Sequence, residues 1–270
     1  MILAVDAGNT RVKGAFVGPG GAVPLFAFST ASMIDEPRAF SAALEAWSKR
    51  LRSVEGVVVC TVVPELGRQL GSTLRRATGQ PVWFVEHTWR FPFRIGVARP
   101  SGLGTDRLCA AAGAVGSRRE HAIVVDVGSA VTVDLVCGRT FRGGMIMPGA
   151  GLGLWALGKY ARRLPKIAPP PPGSCFPTRF DDTGPSMILG VHVGVVGAVT
   201  LAVRELRAAS GRSPSVFVTG GGARALARRL PGGWIHDPHL VSKGLYSVWK
   251  LNRFRLRTDA GSGRTTKKRP

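Results

Sequence analysis

The sequence predicts a layered α/β fold made of two similar halves. Residues 2–10 and 122–130 are both short runs of apolar, largely β-branched residues that end in Asp-x-Gly followed by Asn or Ser. Each run is followed by a second strand-like stretch, as in a β-hairpin. Strand and helix patterns then alternate in both parts of the chain, which is typical of layered α/β folds. The similarity at a spacing of about half the chain therefore predicts an internal duplication.

The composition is that of an ordinary globular protein. The 270 residues are 44% hydrophobic and 20% charged, and only four are cysteines. These values exclude a disulfide-stapled mini-protein, a collagen-like chain and general disorder. The cysteines show no C-x-x-C spacing, so we predict free thiols in a reducing compartment and no zinc site.

The net charge of +21 is unusual. Residues 253–270 carry seven basic side chains against Asp259, which gives +6, and the remaining +15 is scattered over the chain. A nucleic-acid or membrane-surface interaction is therefore the minority interpretation. We find no signal peptide and expect no uncharged apolar run of membrane-spanning length, so the sequence predicts a cytoplasmic protein that binds no membrane.

The order of the predicted elements divides the chain into three parts. We expect an N-terminal half at 1–117, a C-terminal half at 118–257 and a basic, disordered tail at 258–270. The main predicted helices lie at 37–51, 65–78, 106–115, 186–209 and 223–230, and the main predicted strands lie at 56–63, 82–85 and 215–219.

The first Asp-x-Gly loop is a candidate phosphate-binding segment. Gly8 permits a sharp turn that exposes backbone N–H groups, and Lys13 adds a positive charge. Asp6 repels a phosphate unless Mg²⁺ or its water ligands lie between them. A plain hairpin turn explains this loop alone equally well.

The second loop repeats the pattern at Asp126, Gly128 and Ser129. Two hairpins with the same polar tip suggest that a polyphosphate is held from two sides, with Asp126 as a cation ligand. Asp134 is as readily a structural acid with a partner. The glycine-rich segments 219–222 and 143–151 are either ligand-binding loops or structural bends, and the sequence leaves both open.

A further candidate is Gly104-Thr105-Asp106-Arg107, at a predicted helix entry. The Asp is either a helix N-cap beside a surface Arg, or a base beside an anion-binding Arg. The residues alone do not decide between these two interpretations.

In this order the motifs resemble those of the type III pantothenate kinases, which belong to the acetate-kinase/sugar-kinase/Hsp70/actin superfamily. The matching segments are Asp6-x-Gly8-Asn9-Thr10-x-x-Lys13, Gly104-x-Asp106-Arg107, Asp126-x-Gly128-Ser129-Ala130, Gly143-Gly144-x-Ile146-x-Pro148-Gly149, Asp182-Thr183, Thr219-Gly220-Gly221 and 236–245. The resemblance implies a duplicated ribonuclease-H-like, actin-like ATPase fold with an interdomain cleft. It also implies ATP-dependent phosphorylation of pantothenate to 4'-phosphopantothenate, the first step of coenzyme A biosynthesis.

The resemblance also assigns roles to residues of this chain. Asp106 becomes the catalytic proton acceptor, and Asp126 the ligand of a monovalent cation, K⁺ or NH₄⁺, that acts beside Mg²⁺ and ATP. Members of the family are usually homodimers. The implied ATP-binding residues are Asp6, Ala7, Gly8, Asn9, Thr10, Arg11, Val12, Lys13 and Ser129, and the implied pantothenate-binding residues are Gly104, Thr105, Asp106, Arg107 and Thr183.

The chain departs from the family at two substrate positions. Val97 stands where the family commonly has Tyr, and Asp182 where it often has Asn. Val97 and the basic tail motivate an alternative function, that of a regulatory homologue resembling a transcription accessory factor. Phosphorylation of another small hydroxy acid is a second alternative. Binding to nucleic acid is not the favoured expectation.

Overall fold

The protein is described here by a computed structural model that covers residues 1–116, 119–170, 179–227 and 229–261. Within these residues the strands are β1 Ile2–Ala7, β2 Arg11–Gly18, β3 Gly21–Ser29, β4 Val57–Thr61, β5 Val82–Phe84, β6 Arg94–Ile95, β7 Ala122–Val127, β8 Ala130–Cys137, β9 Thr140–Pro148, β10 Ser215–Thr219 and β11 Ile235–His236. The helices are α1 Thr30–Asp35, α2 Pro37–Glu45, α3 Ser48–Leu51, α4 Pro64–Thr78, α5 Thr105–Val115, α6 Ala150–Tyr160, α7 Thr183–Ser210, α8 Ala223–Leu226 and α9 Leu240–Gly261.

Two mixed sheets confirm the predicted duplication. The first has the strand order β3-β2-β1-β4-β5, and the second has the order β11-β10-β7-β8-β9-β6. In both sheets a hairpin of antiparallel strands is extended by parallel strands, on β1 and on β7 respectively. Read from β9 to β11, the second sheet repeats the order and directions of the first, with β6 added at its edge.

The chain forms two compact units. Unit 1 contains Met1–Arg94, Ala98–Ser117 and His239–Pro270, and unit 2 contains Ile95–Val97 and Arg118–Pro238. Each unit has its own apolar core: Leu3, Phe16 and Leu70 belong to that of unit 1, and Ile123, Val133 and Val199 to that of unit 2.

The last helix belongs to unit 1, whereas the sequence placed it in the second half. Helix α9 packs on α5 so closely that the backbones touch at two glycines. A Cβ atom at Gly244 would collide with the carbonyl oxygen of Cys109, and one at Gly113 would collide with that of Leu240. Only glycine permits this approach. The predicted tail is also shorter than expected, because 258–261 are still helical; the rest of that prediction, 262–270, lies outside the described residues.

Helix α7 corrects the expectation that no uncharged apolar run has membrane-spanning length. Thr183–Ser210 is long and apolar enough to cross a membrane by length and composition alone, with a mean hydropathy of 2.0 in its most apolar window. One such helix is weak evidence for a membrane span. One face of α7 lies in the core of unit 2 through residues that include Val195 and Val199. The other face leaves Val193 and Leu201 about half exposed, at 50% and 48%.

Candidate active site

In unit 1 the first hairpin places Asp6 between a cation and a thiol. Asp6 is opposite Lys13 in the antiparallel β1–β2 pair and beside Cys60 in the parallel β1–β4 pair. The Cys60 Sγ donates a hydrogen bond to Asp6 Oδ1 at 3.5 Å. The run of buried apolar residues in β1 ends at this half-buried carboxylate, so the hydrophobic strand carries a polar group to its carboxyl end.

The turn after Asp6 has an exposed tip, and hydrogen bonds hold the residues that flank the tip. The Gly8 N–H donates to the Arg11 carbonyl at 3.0 Å, and the Thr30 hydroxyl donates to the Gly8 carbonyl at 2.7 Å. Asn9, Thr10 and Arg11 are exposed. The tip is thus accessible to an anion while its conformation is held by Thr30.

Asp106 lies in the first turn of α5. The N-cap of this helix is Gly104, so the interpretation of Asp106 as an N-cap residue is wrong. The Asp106 carboxylate accepts a hydrogen bond from the Arg107 N–H at 2.8 Å. A Cβ atom at Gly104 would collide with this same carboxylate oxygen. The glycine of the Gly-x-Asp-Arg motif therefore leaves the space in which the acid lies.

Burial raises the pKa values of both carboxyl groups. The pKa of Asp6 rises to about 6 because burial disfavours the charged form; Lys13 opposes this rise and the charge of Asp106 adds to it. The pKa of Asp106 is raised mainly by burial, which the N–H and the charge of Arg107 oppose. The two acids interact although 100 positions separate them in the sequence. The fold of unit 1 thus brings together the Asp-x-Gly and the Gly-x-Asp-Arg motifs.

The second hairpin, in unit 2, differs from the first by one residue. Its turn holds only Gly128 and Ser129, and the residue opposite Asp126 is Thr132. The second loop therefore does not repeat the carboxylate and cation pair of the first. Ser129 is exposed at the tip, and its carbonyl accepts the Gly149 N–H at 2.9 Å.

The two glycine-rich segments of unit 2 have structural roles. Gly220 has a φ of +96°, and a Cβ atom there would collide with the Asp126 carboxylate. Gly149 lies against the carbonyls of Gly128 and Ser129 with no room for a side chain. The predicted helix 223–230 is shorter than expected, since α8 ends at Leu226. Both segments thus pack against the second hairpin.

Thr183 begins helix α7 at the wall of an open pocket of about 790 Å³ in unit 2. The Asp182 carboxylate caps the helix by accepting the Thr183 N–H at 2.7 Å. The residues that line the pocket include the polar Asp181 and Ser186 and the apolar Met187 and Val191. Such a pocket accepts a small molecule that has both polar and apolar parts.

Comparison with known proteins identifies the family. The model of the type III pantothenate kinases matches residues 2–205. The chain belongs to the type III pantothenate kinase family. A type III pantothenate kinase of Halorhodospira halophila is 35% identical over 255 residues, which cover 91% of this chain and 96% of the relative. The protein is therefore a kinase that phosphorylates pantothenate with ATP, in coenzyme A biosynthesis.

Solved structures confirm the actin-like fold. An archaeal actin homologue, Ta0583, superposes with a TM-score of 0.51 at 14% identity, covering 92% of this chain and 99% of its own. A Campylobacter jejuni chain named as a Baf family transcriptional activator has a TM-score of 0.58 at 21% identity, with 93% and 99% coverage. At these identities the likeness concerns the fold alone.

Two thiols beside the candidate site residues were not anticipated from the sequence. Cys60 was interpreted only as a free thiol, yet it contacts Asp6 and hydrogen-bonds with the thiol of Cys109. Cys109 follows Asp106 by three positions, so the two share a face of α5. That helical spacing was the available signal, but only the β1–β4 register brings Cys60 to the same place.

The carboxylates of Asp6 and Asp126 are better suited to a cation that also binds the phosphates of ATP than to a metal ion bound by protein side chains alone. Among the described residues no three His, Cys, Asp or Glu side chains converge as a metal site. Mg²⁺ commonly uses one or two carboxylates plus substrate phosphates, which Asp6 at the end of β1 can satisfy. In unit 2 the Asp126 carboxylate and the Val127 carbonyl lie side by side at Gly220, so two hard oxygen donors are close together there.

Proposed function

We propose that the chain phosphorylates pantothenate with Asp106 as the proton acceptor. The observation that carries this assignment is the half-buried Asp106 carboxylate, which interacts with Asp6 of the first hairpin. Burial raises the pKa of Asp106, so its carboxylate is a better base than an exposed one. In a loose phosphoryl-transfer transition state the base needs mainly to lie within about 3 Å of the attacking hydroxyl.

The residues of the first hairpin are proposed to hold ATP. The exposed tip from Asn9 to Arg11 offers backbone N–H groups and polar side chains to a phosphate. Lys13, opposite Asp6, offsets part of the phosphate charge. In unit 2, Ser129 provides an exposed hydroxyl for the same ligand. The family resemblance extends the proposed ATP-binding set to Asp6, Ala7 and Val12.

Two cations are part of the proposal. Asp6 would hold Mg²⁺ with the ATP phosphates, and Asp126 would hold a monovalent cation, K⁺ or NH₄⁺. Bound there, the cations would neutralise the negative charge that ATP brings.

Pantothenate is proposed to contact 104–107 and Thr183. Arg107, next to the base, would bind the substrate carboxylate through its guanidinium group. Thr105 supports a polar ligand here, because its buried hydroxyl has no hydrogen-bond partner among the residues that the structure describes. Buried hydroxyls without a partner are uncommon in folded proteins, and a substrate group would satisfy this one.

We place the enzyme in the cytoplasm, since the three described cysteines, Cys60, Cys109 and Cys137, are free thiols.

The regulatory alternative gains no support from the two features that suggested it. Val97 lies against Gly143, which has a φ of +80°, so it has a packing role. The basic residues 253–257 form part of α9. Neither observation requires a nucleic-acid partner.

The function is tested by ADP release with purified protein, ATP, Mg²⁺ and pantothenate, with and without K⁺. We expect turnover that depends on pantothenate and is stimulated by K⁺ or NH₄⁺ over Na⁺. Turnover with other small hydroxy acids but not with pantothenate would contradict the substrate assignment. Absence of turnover with every substrate and cation would contradict the catalytic proposal itself.

A homodimer formed through helix α7 is the proposed assembly. Its outer face carries Val193 and Leu201, together with Gly190, Gly194 and Gly197, whose Cβ positions have no neighbour within 4 Å. The window of mean hydropathy 2.0 is only 33% buried within the chain. Small residues on an apolar ridge allow two helices to approach closely, so a second copy of α7 fits this face.

Light scattering is expected to give twice the chain mass of 28.6 kDa. Leu201→Glu should shift the protein to the monomer, because it places two charges in the contact. Val23→Glu, at an exposed apolar position on β3, is the matched control and should remain dimeric. A monomeric wild type, or a dimer that Leu201→Glu leaves intact, would contradict the proposed interface.

A further inference from the structure

The segment that precedes Gly104 is tied to the rest of unit 1 by a histidine that the motifs do not include. His87 Nε2 lies 2.6 Å from the carbonyl oxygen of Leu103. A carbonyl oxygen only accepts hydrogen bonds, so Nε2 must carry the hydrogen and donate it. His87 is half-buried and Leu103 is buried, which reduces competition from water for this bond.

The Leu103 carbonyl belongs to the same peptide unit as the Gly104 N–H. This peptide unit is planar and trans, so its C=O and its N–H point in opposite directions. A hydrogen bond that fixes the carbonyl therefore also fixes the N–H. Gly104 is the N-cap of α5, and it has no side chain with which to cap the helix. The hydrogen bond from His87 thus sets the orientation of the peptide from which the first turn, with Asp106, begins.

The other hydrogen bonds given for this segment are local. The preceding 3₁₀ turn, Pro100–Gly102, ends with a bond from the Leu103 N–H to the Pro100 carbonyl at 3.1 Å. On the other side of Gly104, the nearest group to its Cβ position besides Asp106 is a Val62 methyl at 3.6 Å. The short bond from His87 thus links this segment to the loop after β5.

We propose that His87 is a positioning residue for phosphoryl transfer. It orients the Leu103–Gly104 peptide so that the N-terminal turn of α5 presents Asp106 and its backbone N–H groups to pantothenate. This inference rests on the proposed roles of residues 104–107. His87 is not among the residues proposed to bind ATP or to accept the proton, so its loss should affect the acceptor substrate and leave ATP binding unchanged.

Three variants of His87 test this role by steady-state kinetics. His87→Ala and His87→Phe remove the donor, and Phe keeps an aromatic ring in its place. Both are expected to reduce kcat/KM for pantothenate about tenfold, the effect of one good hydrogen bond, with KM for ATP unchanged. His87→Gln carries an amide donor at a similar distance from the backbone and is expected to recover most of the loss.

His121→Ala is the matched control. The His121 Nδ1 also bonds to backbone, accepting the Gly138 N–H at 3.3 Å, but at a turn that holds none of the proposed site residues. It should leave the kinetics unchanged. A wild-type kcat/KM for pantothenate in both donor-free variants would overturn the inference. So would an equal loss for ATP and pantothenate that His87→Gln fails to rescue, because that result indicates a general structural role. A wild type without pantothenate-dependent turnover would instead contradict the proposed function.

Discussion

Asp106→Asn is expected to reduce kcat about 10²- to 10⁴-fold while ATP still binds. The amide keeps the size of the side chain but cannot accept the proton of the substrate hydroxyl, and general-base catalysis contributes a factor of this order. The Asn side-chain oxygen can still accept the Arg107 N–H, so the first turn of α5 is expected to stay in place. The measurements are pantothenate-dependent ADP release and nucleotide affinity by calorimetry.

Asp35→Asn is the matched control for this substitution. It makes the same chemical change at an exposed carboxylate in the last turn of α1, outside the motifs assigned to the site. We expect turnover close to that of the wild type. If Asp106→Asn retained turnover, Asp106 would not be the base. If it lost nucleotide binding instead, Asp106 would belong to the ATP site.

Asp6→Asn is expected to stabilise the protein without ligands at pH 8 and to impair its activity. The pKa of Asp6 rises from 3.8 in the unfolded chain to about 6 in the fold. Between these values the folded state binds more protons than the unfolded state, so the free energy of unfolding decreases as the pH rises. A difference of this size corresponds to at most about 3 kcal/mol. The neutral amide avoids this loss, so the variant should be more stable at pH 8 by an amount on the order of 2 kcal/mol.

Urea denaturation at pH 4, 6 and 8 measures this effect. The gain from Asp6→Asn should shrink as the pH falls and vanish near pH 4, where Asp6 is protonated in the folded protein. Asp35→Asn, at an exposed carboxylate in the last turn of α1, is expected to leave stability unchanged. A variant that is less stable than the wild type at pH 8 would show that the Asp6 charge is compensated within the protein.

In assays, the loss of Asp6 should raise KM for ATP-Mg²⁺ and leave KM for pantothenate unchanged.

The sequence located the parts of the site because its motifs are local. The β1–β2 and β7–β8 hairpins, the strand 215–219 and the position of Asp106 at the start of a helix follow from apolar periodicity and from glycine placement. The helix predicted at 37–51 is in fact two, α2 and α3, since the chain leaves the helical conformation at Trp47, with φ −108° and ψ 7°. The apolar spacing of 37–51 carries no signal for this break, because it continues across Trp47.

The sequence by itself determined the duplicated order of α and β elements and the identity of the acidic motifs. Both depend only on residues that are close together along the chain. Tertiary structure alone decided which distant residues meet. It put α9 against α5 through Gly113 and Gly244, and it brought Cys60 to Asp6 through strand register. It also set the pKa values of the two acids, since burial and neighbouring charges exist only once the chain has folded.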